Sequence, residues 1–160
     1  MTTTNVIERF ASLQLTSQLP VEAREALAKV SYLRRFAADE ELCREGCEAT
    51  EFYLIDSGRV GLDMFVPGRG QVRILTLGPG EVLAWSALVG NHGATATATA
   101  LEDTLTVAFP DKALSDLCEA NVSVGYFVMK ELAKTIARRL LSTRLQLLDL
   151  FADQPGATVS

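Results

Sequence analysis

From Ala94 to Ala100 the chain alternates alanine and threonine without a break, and no other stretch constrains the fold as strongly. A period of two sends successive side chains to opposite faces of a strand, so this segment predicts a β-strand with one face of small residues. The residues before it complete a local unit. Val82 and Leu83 read as a strand-like start, Trp85 to Val89 as a short helix-compatible run, and Gly90 to Gly93 as a turn. The order is strand, helical turn, loop, strand. The first turn of an inserted helix offers unpaired backbone amides to an anion, and the alternating strand can form the wall of a pocket. Any ligand of this chain is therefore expected between Glu81 and Ala100. That stretch contains no Lys or Arg.

The same period extends outward. From Ser31 to Pro110, short β-forming runs are separated by Glu45-Gly46, Ser57-Gly58, the Pro67 to Gly70 turn, Gly78-Pro79-Gly80 and the Gly90 to Gly93 turn. About eight short strands at this spacing predict a barrel or jelly roll. Before it, Phe10, Leu13, Leu19, Leu27 and Val30 fall among charges, with Pro20 at a helix start. After Pro110 the chain turns helical and, apart from Gly125, lacks Gly and Pro until Pro155. The expected fold is α+β, mainly β. It is one domain over residues 1–160, with a helical cap at about 1–30, a double-stranded β-helix or jelly roll at 31–110, C-terminal helices at 111–152 and a frayed tail at 153–160.

Composition narrows the function classes. Of 160 residues, 48% are hydrophobic and 22% charged, which suits a compact soluble domain, and the net charge of -5 repels polyanions. No apolar run approaches the roughly 20 residues that span a bilayer, and Met1 to Asn5 lacks the basic and apolar parts of a secretory leader. A cytoplasmic protein without membrane contact is expected. Cys43, Cys47 and Cys118 are an odd number, which argues for free thiols whose role the sequence leaves open. No metal site is expected. The single His92 sits in a polar turn, no nucleophile stands in a strained elbow, and no spacing pairs two carboxylates for acid–base work. The sequence thus predicts no enzyme and no cofactor.

Glu45-Gly46, Phe52 to Ile55 with Ser57-Gly58 and Val60, Gly78 to Glu81, Thr97 to Asp103 and Ala137 to Leu140 follow one another along the chain. In the order and spacing of these residues the chain resembles the cyclic-nucleotide-binding domain of the CRP/FNR family of bacterial regulators. The resemblance implies a β-roll followed by a dimerisation helix. It also assigns the ribose contact to a Glu on the short inserted helix and the phosphate contact to an Arg before the next strand. Those positions fall here on Trp85, or Ser86 with a slip of one, and on Ala94 or Gly93. Losing two charge-assisted contacts of roughly 1.5–3 kcal/mol each weakens cyclic AMP binding about a thousandfold or more. A pocket built of Leu83, Ala84, Trp85, Ser86, Ala87, Ala94, Thr95, Ala96 and Thr143 is expected, with Ala94, Ala96, Ala98 and Ala100 facing inward. Arg69, Arg73 or the partner chain's Arg144 are the substitute cations. Trp85 either stacks on a planar ligand or fills the space a nucleotide would take. His92 reads as surface, with haem ligation, as in the family's carbon-monoxide sensors, the alternative.

From an N-cap at Asn121, the last helix carries Met129, Ala133, Ile136, Leu140, Thr143, Leu147 and Leu150 at alternating spacings of four and three. This seam predicts a homodimer. Leu132, Leu141, Leu145 and Leu148 form a flanking stripe expected to lie on the chain's own barrel. Lys130, Lys134, Arg138, Arg139 and Arg144 read as a solvated face. The chain stops about ten residues beyond the heptads, without the two further helices a helix-turn-helix reader requires, so direct DNA binding is not expected. Two functions remain open. One is a regulatory sensor domain, degenerate for cyclic AMP or binding a cyclic nucleotide through non-standard residues, that signals through its dimer helix to a downstream protein partner. The other is a ligand-free dimerisation or interaction module.

Overall fold

The computed structural model describes residues 3–89 and 93–152. Three helices open the chain, α1 (Thr3–Ser12), α2 (Gln14–Ser17) and α3 (Val21–Lys29). Pro20 stands at the N-cap of α3 with φ -55°, where its missing N–H costs the helix nothing. Eight strands follow: β1 (Tyr32–Phe36), β2 (Glu41–Cys43), β3 (Glu51–Ser57), β4 (Val60–Val66), β5 (Gly70–Leu77), β6 (Val82–Leu83), β7 (Thr97–Ala100) and β8 (Thr104–Pro110). A one-turn helix, α4 (Ser86–Val89), separates β6 from β7. They form two antiparallel four-stranded sheets, ordered β1-β8-β3-β6 and β2-β7-β4-β5.

Strand β8 lies between β1 and β3 and is buried from Thr104 to Phe109. Both of its faces are covered, so its sequence runs apolar and β-branched without alternation. On one face Phe52, Leu54, Val107 and Phe109 meet Phe10, Leu27, Leu114 and Leu132 from the helices. On the other, Phe36, Tyr53, Ile55 and Ala108 meet Val60, Leu77, Ala98 and Ala100 from the second sheet. That inner face is the interior of the roll. The turn into β4 demands glycine: Gly58 has φ +95°, and a Cβ there would stand 2.4 Å from Thr104 Oγ1.

After α5 (Asp111–Ala120), the long helix α6 runs Val122–Ala152. Asn121 Oδ1 accepts the Val124 N–H at 3.2 Å and caps it. Gly125 lets α5 approach, since a Cβ there would lie 2.7 Å from Cys118 O. Only the first half of α6 packs on the domain, through Val124, Gly125, Leu132 and Thr135. Residues 140 to 152 are all exposed. The flanking stripe is therefore corrected: Leu132 lies on the barrel, but Leu141, Leu145 and Leu148 have passed its edge, because a 31-residue helix outruns a domain of this size. Val122 and Tyr126, both exposed, extend the heptad spacing one repeat upstream of Met129. No helix among the described residues is long and apolar enough to cross a membrane.

Candidate ligand cleft

Val82 and Leu83 are buried and pair with Leu54 and Tyr53, which fixes where the chain leaves the sheet. At Ala84 the backbone turns through φ +60°, a left-handed conformation that costs a residue with a Cβ about 1–2 kcal/mol. The turn starts α4, whose bonds run from Ala87 N to Ala84 O at 3.0 Å and from Leu88 N to Trp85 O at 3.0 Å. Across the roll, Ala94 is held on both sides of its backbone: its N–H donates to Cys47 O at 2.8 Å and its carbonyl accepts from Gly46 N at 2.9 Å. From there Ala94, Ala96, Ala98 and Ala100 are buried, Thr95 is exposed, and Thr97 and Thr99 are half-buried. Thr97 Oγ1 accepts the Glu45 N–H at 3.0 Å and ties the strand to the loop after β2.

Between these walls is a cleft lined by Leu83, Ala84, Trp85, Ser86, Ala94, Thr95 and Ala96, together with Cys43, Leu62 and Arg139. It holds about 30 Å3. That is room for a water or two, whereas drug-sized ligands occupy several hundred Å3. Ala87 does not line it. Neither does Thr143 within one chain, where its hydroxyl donates to Arg139 O at 2.8 Å along the exposed helix. Trp85 is half-buried and packs against the core on the helical side of the sheet while also lining the cleft. The roll interior is occupied instead by Phe36, Tyr53, Ile55, Leu77 and Leu83. His92 lies outside the described residues.

The cation came from an unexpected place. Arg139 belongs to the basic series read as a solvated face, yet it turns inward from α6, and its Nη2 donates to the carbonyl of Val82. Its Nε is buried with no hydrogen-bond partner among the described residues. Burial pulls the guanidinium below its ordinary pKa, with Glu81 opposing and Arg138 adding to the effect. It still carries its charge at neutral pH. The signal was present in the helix, since Val128, Leu132, Thr135 and Arg139 recur every four, three and four residues on the domain-facing side. Of the substitutes named from sequence, Arg73 pairs with Asp63 over Gly61, and Arg69 and Arg144 are exposed within one chain.

Burial pushes the Cys43 thiol up, with a backbone contact from Ala98 opposing, so it stays protonated at neutral pH. All three cysteines are free thiols. No group of three or more His, Cys, Asp or Glu side chains suited to a metal occurs among the described residues.

Residues 33–121 match the cyclic nucleotide-binding domain family. The chain belongs to that family. Its fold is shared by a cyclic nucleotide-binding domain from Methylobacillus flagellatus KT, with TM-score 0.79 and 19% identity over 92% of this chain and 83% of that one. It is also similar to the catabolite activator protein of Thermus thermophilus, with TM-score 0.68 and 26% identity over 90% of this chain and 63% of that one. Among curated proteins, Glutaminase 2 of Bradyrhizobium diazoefficiens is 25% identical over 130 residues, which is 80% of this chain and 20% of the relative. The chain thus spans about a fifth of the length of that relative. As a cyclic nucleotide-binding domain it is a regulatory binding unit in architecture. The resemblance gives the ribose contact to Trp85 or Ser86 and the phosphate contact to Ala94 or Gly93, and of these Trp85, Ser86 and Ala94 stand on the cleft wall.

Proposed function

We propose that this chain is a cytoplasmic regulatory domain of the cyclic nucleotide-binding type that does not take cyclic AMP in the family's manner and that signals, as a homodimer along α6, to a protein partner. One observation carries the reading. The cleft between β6, α4 and β7 holds about 30 Å3, is lined by Trp85, Ser86 and Ala94, among the residues to which the resemblance assigns the ribose and phosphate contacts, and has Arg139 as its one lining cation among the described residues, already bonded to Val82. Desolvating a phosphate there is opposed by several kcal/mol that a single committed arginine offsets only in part. The likeness to a fifth of Glutaminase 2 supports a unit that works alongside a larger protein.

Calorimetry with cyclic AMP and cyclic GMP tests the ligand half of the reading. Binding weaker than millimolar, or none, is expected. A micromolar dissociation constant abolished by Arg139→Met would favour the second reading, a nucleotide site built on Arg139 instead of the position of Ala94.

A further inference from the structure

A second cleft, of about 640 Å3, opens where the helical cap, the turn between β5 and β6 and the helix α6 meet. It falls in the size range of small-molecule sites and shares no lining residue with the cleft beside Trp85. Four charged side chains line it, Glu81 from the turn and Glu131, Lys134 and Arg138 from α6. Lys134 Nζ meets Glu131 Oε1 at 2.9 Å, so those two charges cancel within the helix wall. The other two do not. The Gly78 N–H donates to Glu81 Oε2 at 2.7 Å and fixes the carboxylate, whose field reaches Arg139 but which forms no ion pair among the described residues. Arg138 donates to the Thr135 hydroxyl at 3.3 Å and has no carboxylate partner among the described residues. The turn that carries Glu81 is itself anchored on β3, because Ile55 N donates to Glu81 O at 2.9 Å and Gly80 N to Ile55 O at 2.8 Å.

We infer that this cleft binds a zwitterion of amino-acid to dipeptide size, with its carboxylate on Arg138 and its ammonium on Glu81. The inference goes beyond the regulatory reading above and does not depend on it. The lining carries two negative and two positive charges, so it gives no net attraction to a ligand of one sign. What it offers is charge held apart on two walls, which a molecule bearing both signs satisfies at both ends. An ammonium has three donors and no acceptor and suits the carboxylate of Glu81, while a ligand carboxylate matches the planar fork of Arg138. Leu13, Pro79 and Ala137 supply apolar surface for the carbon body between them. Because the turn is anchored and the helix is rigid, little ordering of the walls opposes binding. A molecule seated here touches the cap, the turn and α6 at once, and so ties the first half of α6 to the roll.

Titrating isotope-labelled protein with glycyl-L-leucine, followed by amide chemical shifts, tests this. Glu81 and Arg138 are exposed and screened, so a dissociation constant of about 1 mM is expected. The amides of Gly80, Glu81, Ala137 and Arg138 should move, and those of Ala94 and Ala96 should stay fixed. Isovalerate and isoamylamine, each carrying one charge on a similar carbon body, should bind about fivefold more weakly. Arg138→Gln and Glu81→Gln should each weaken the dipeptide by a similar factor, with Arg138→Gln scored alone if Glu81→Gln disturbs the spectrum as a whole. No shift at about 20 mM dipeptide, equal binding of the single-charge compounds, or unchanged affinity in Arg138→Gln would overturn the inference. Shifts confined to the cleft beside Trp85 would overturn it too. Micromolar binding of cyclic AMP would overturn the regulatory reading and leave this site standing.

Discussion

On the reading proposed above, replacing Trp85 by Glu and Ala94 by Arg together should raise the affinity of this domain for cyclic AMP. Both side chains line the cleft, so each new charge is delivered to the wall it would need to act from. Two charge-assisted contacts of about 1.5–3 kcal/mol add roughly 3–6 kcal/mol, or two to four decades of affinity. Two costs oppose this. The walls around about 30 Å3 must part, and an arginine at position 94 would stand near Arg139. At about 7 Å and an effective dielectric of 20, two such cations repel by roughly 2 kcal/mol, until a phosphate between them turns the pair into a clamp. Removing the half-buried indole should itself cost about 1–3 kcal/mol of stability. Calorimetry and thermal melting read both quantities, because ligand at a hundredfold over its dissociation constant adds about 2.7 kcal/mol to unfolding. A folded double variant with a wild-type circular dichroism spectrum and no heat at millimolar cyclic AMP would refute the assignment of these two positions.

Three further outcomes follow from particular contacts. Ala84→Gly relieves the left-handed backbone at φ +60° and should stabilise by up to about 1 kcal/mol, since the loss of chain entropy offsets part of the relief; destabilisation in urea would mean the methyl matters for packing. Leu140→Lys places a charge in each half of the seam and should yield a monomer at micromolar concentration by light scattering, with unchanged oligomerisation counting against the seam. Burial raises the Glu51 carboxyl, but hydrogen bonds from Tyr32 and Tyr53 and the Arg34 pair at 2.6 Å outweigh it and hold its pKa below the ordinary value. Its contribution is therefore present above the unfolded value of about 4.3 and lost as pH falls through the lower folded value. Glu51→Gln should flatten the loss of urea midpoint between pH 5 and 3, and identical slopes would contradict the assignment.

Much of this architecture was legible because side-chain periods map directly onto faces. The Ala94 to Ala100 alternation placed one face of β7 in the roll, and the Gly-punctuated runs marked eight strands. Strand β8 was recognisable only as a run, because covering on both faces erases the period. The cleft walls followed from local sequence, but Cys43, Leu62 and Arg139 did not, since they arrive from β2, β4 and α6 through tertiary packing. Leu141, Leu145 and Leu148 failed for a different reason. Their spacing announces an apolar stripe but not how far the domain extends beneath it, and the domain ends before them.

The position of Arg139 raises a question of balance that one substitution can settle. Among the described residues its guanidinium makes one hydrogen bond, to Val82, and its buried Nε has no partner, so the desolvation it suffers is poorly compensated. Arg139→Met keeps the apolar stem and removes that burden, while leaving the Val82 carbonyl short of a donor at a cost of about 1–3 kcal/mol. The two effects oppose each other. The net change should fall within about 1 kcal/mol, which for a domain of this size moves the melting temperature by roughly 2–4 °C. The emission of Trp85, the single tryptophan, should shift as well, because it lines the same cleft. A loss above about 3 kcal/mol would show that Arg139 is a structural tie between α6 and β6. A small change in stability together with a shifted emission would mean that this buried charge is carried for what the cleft does and not for holding the fold.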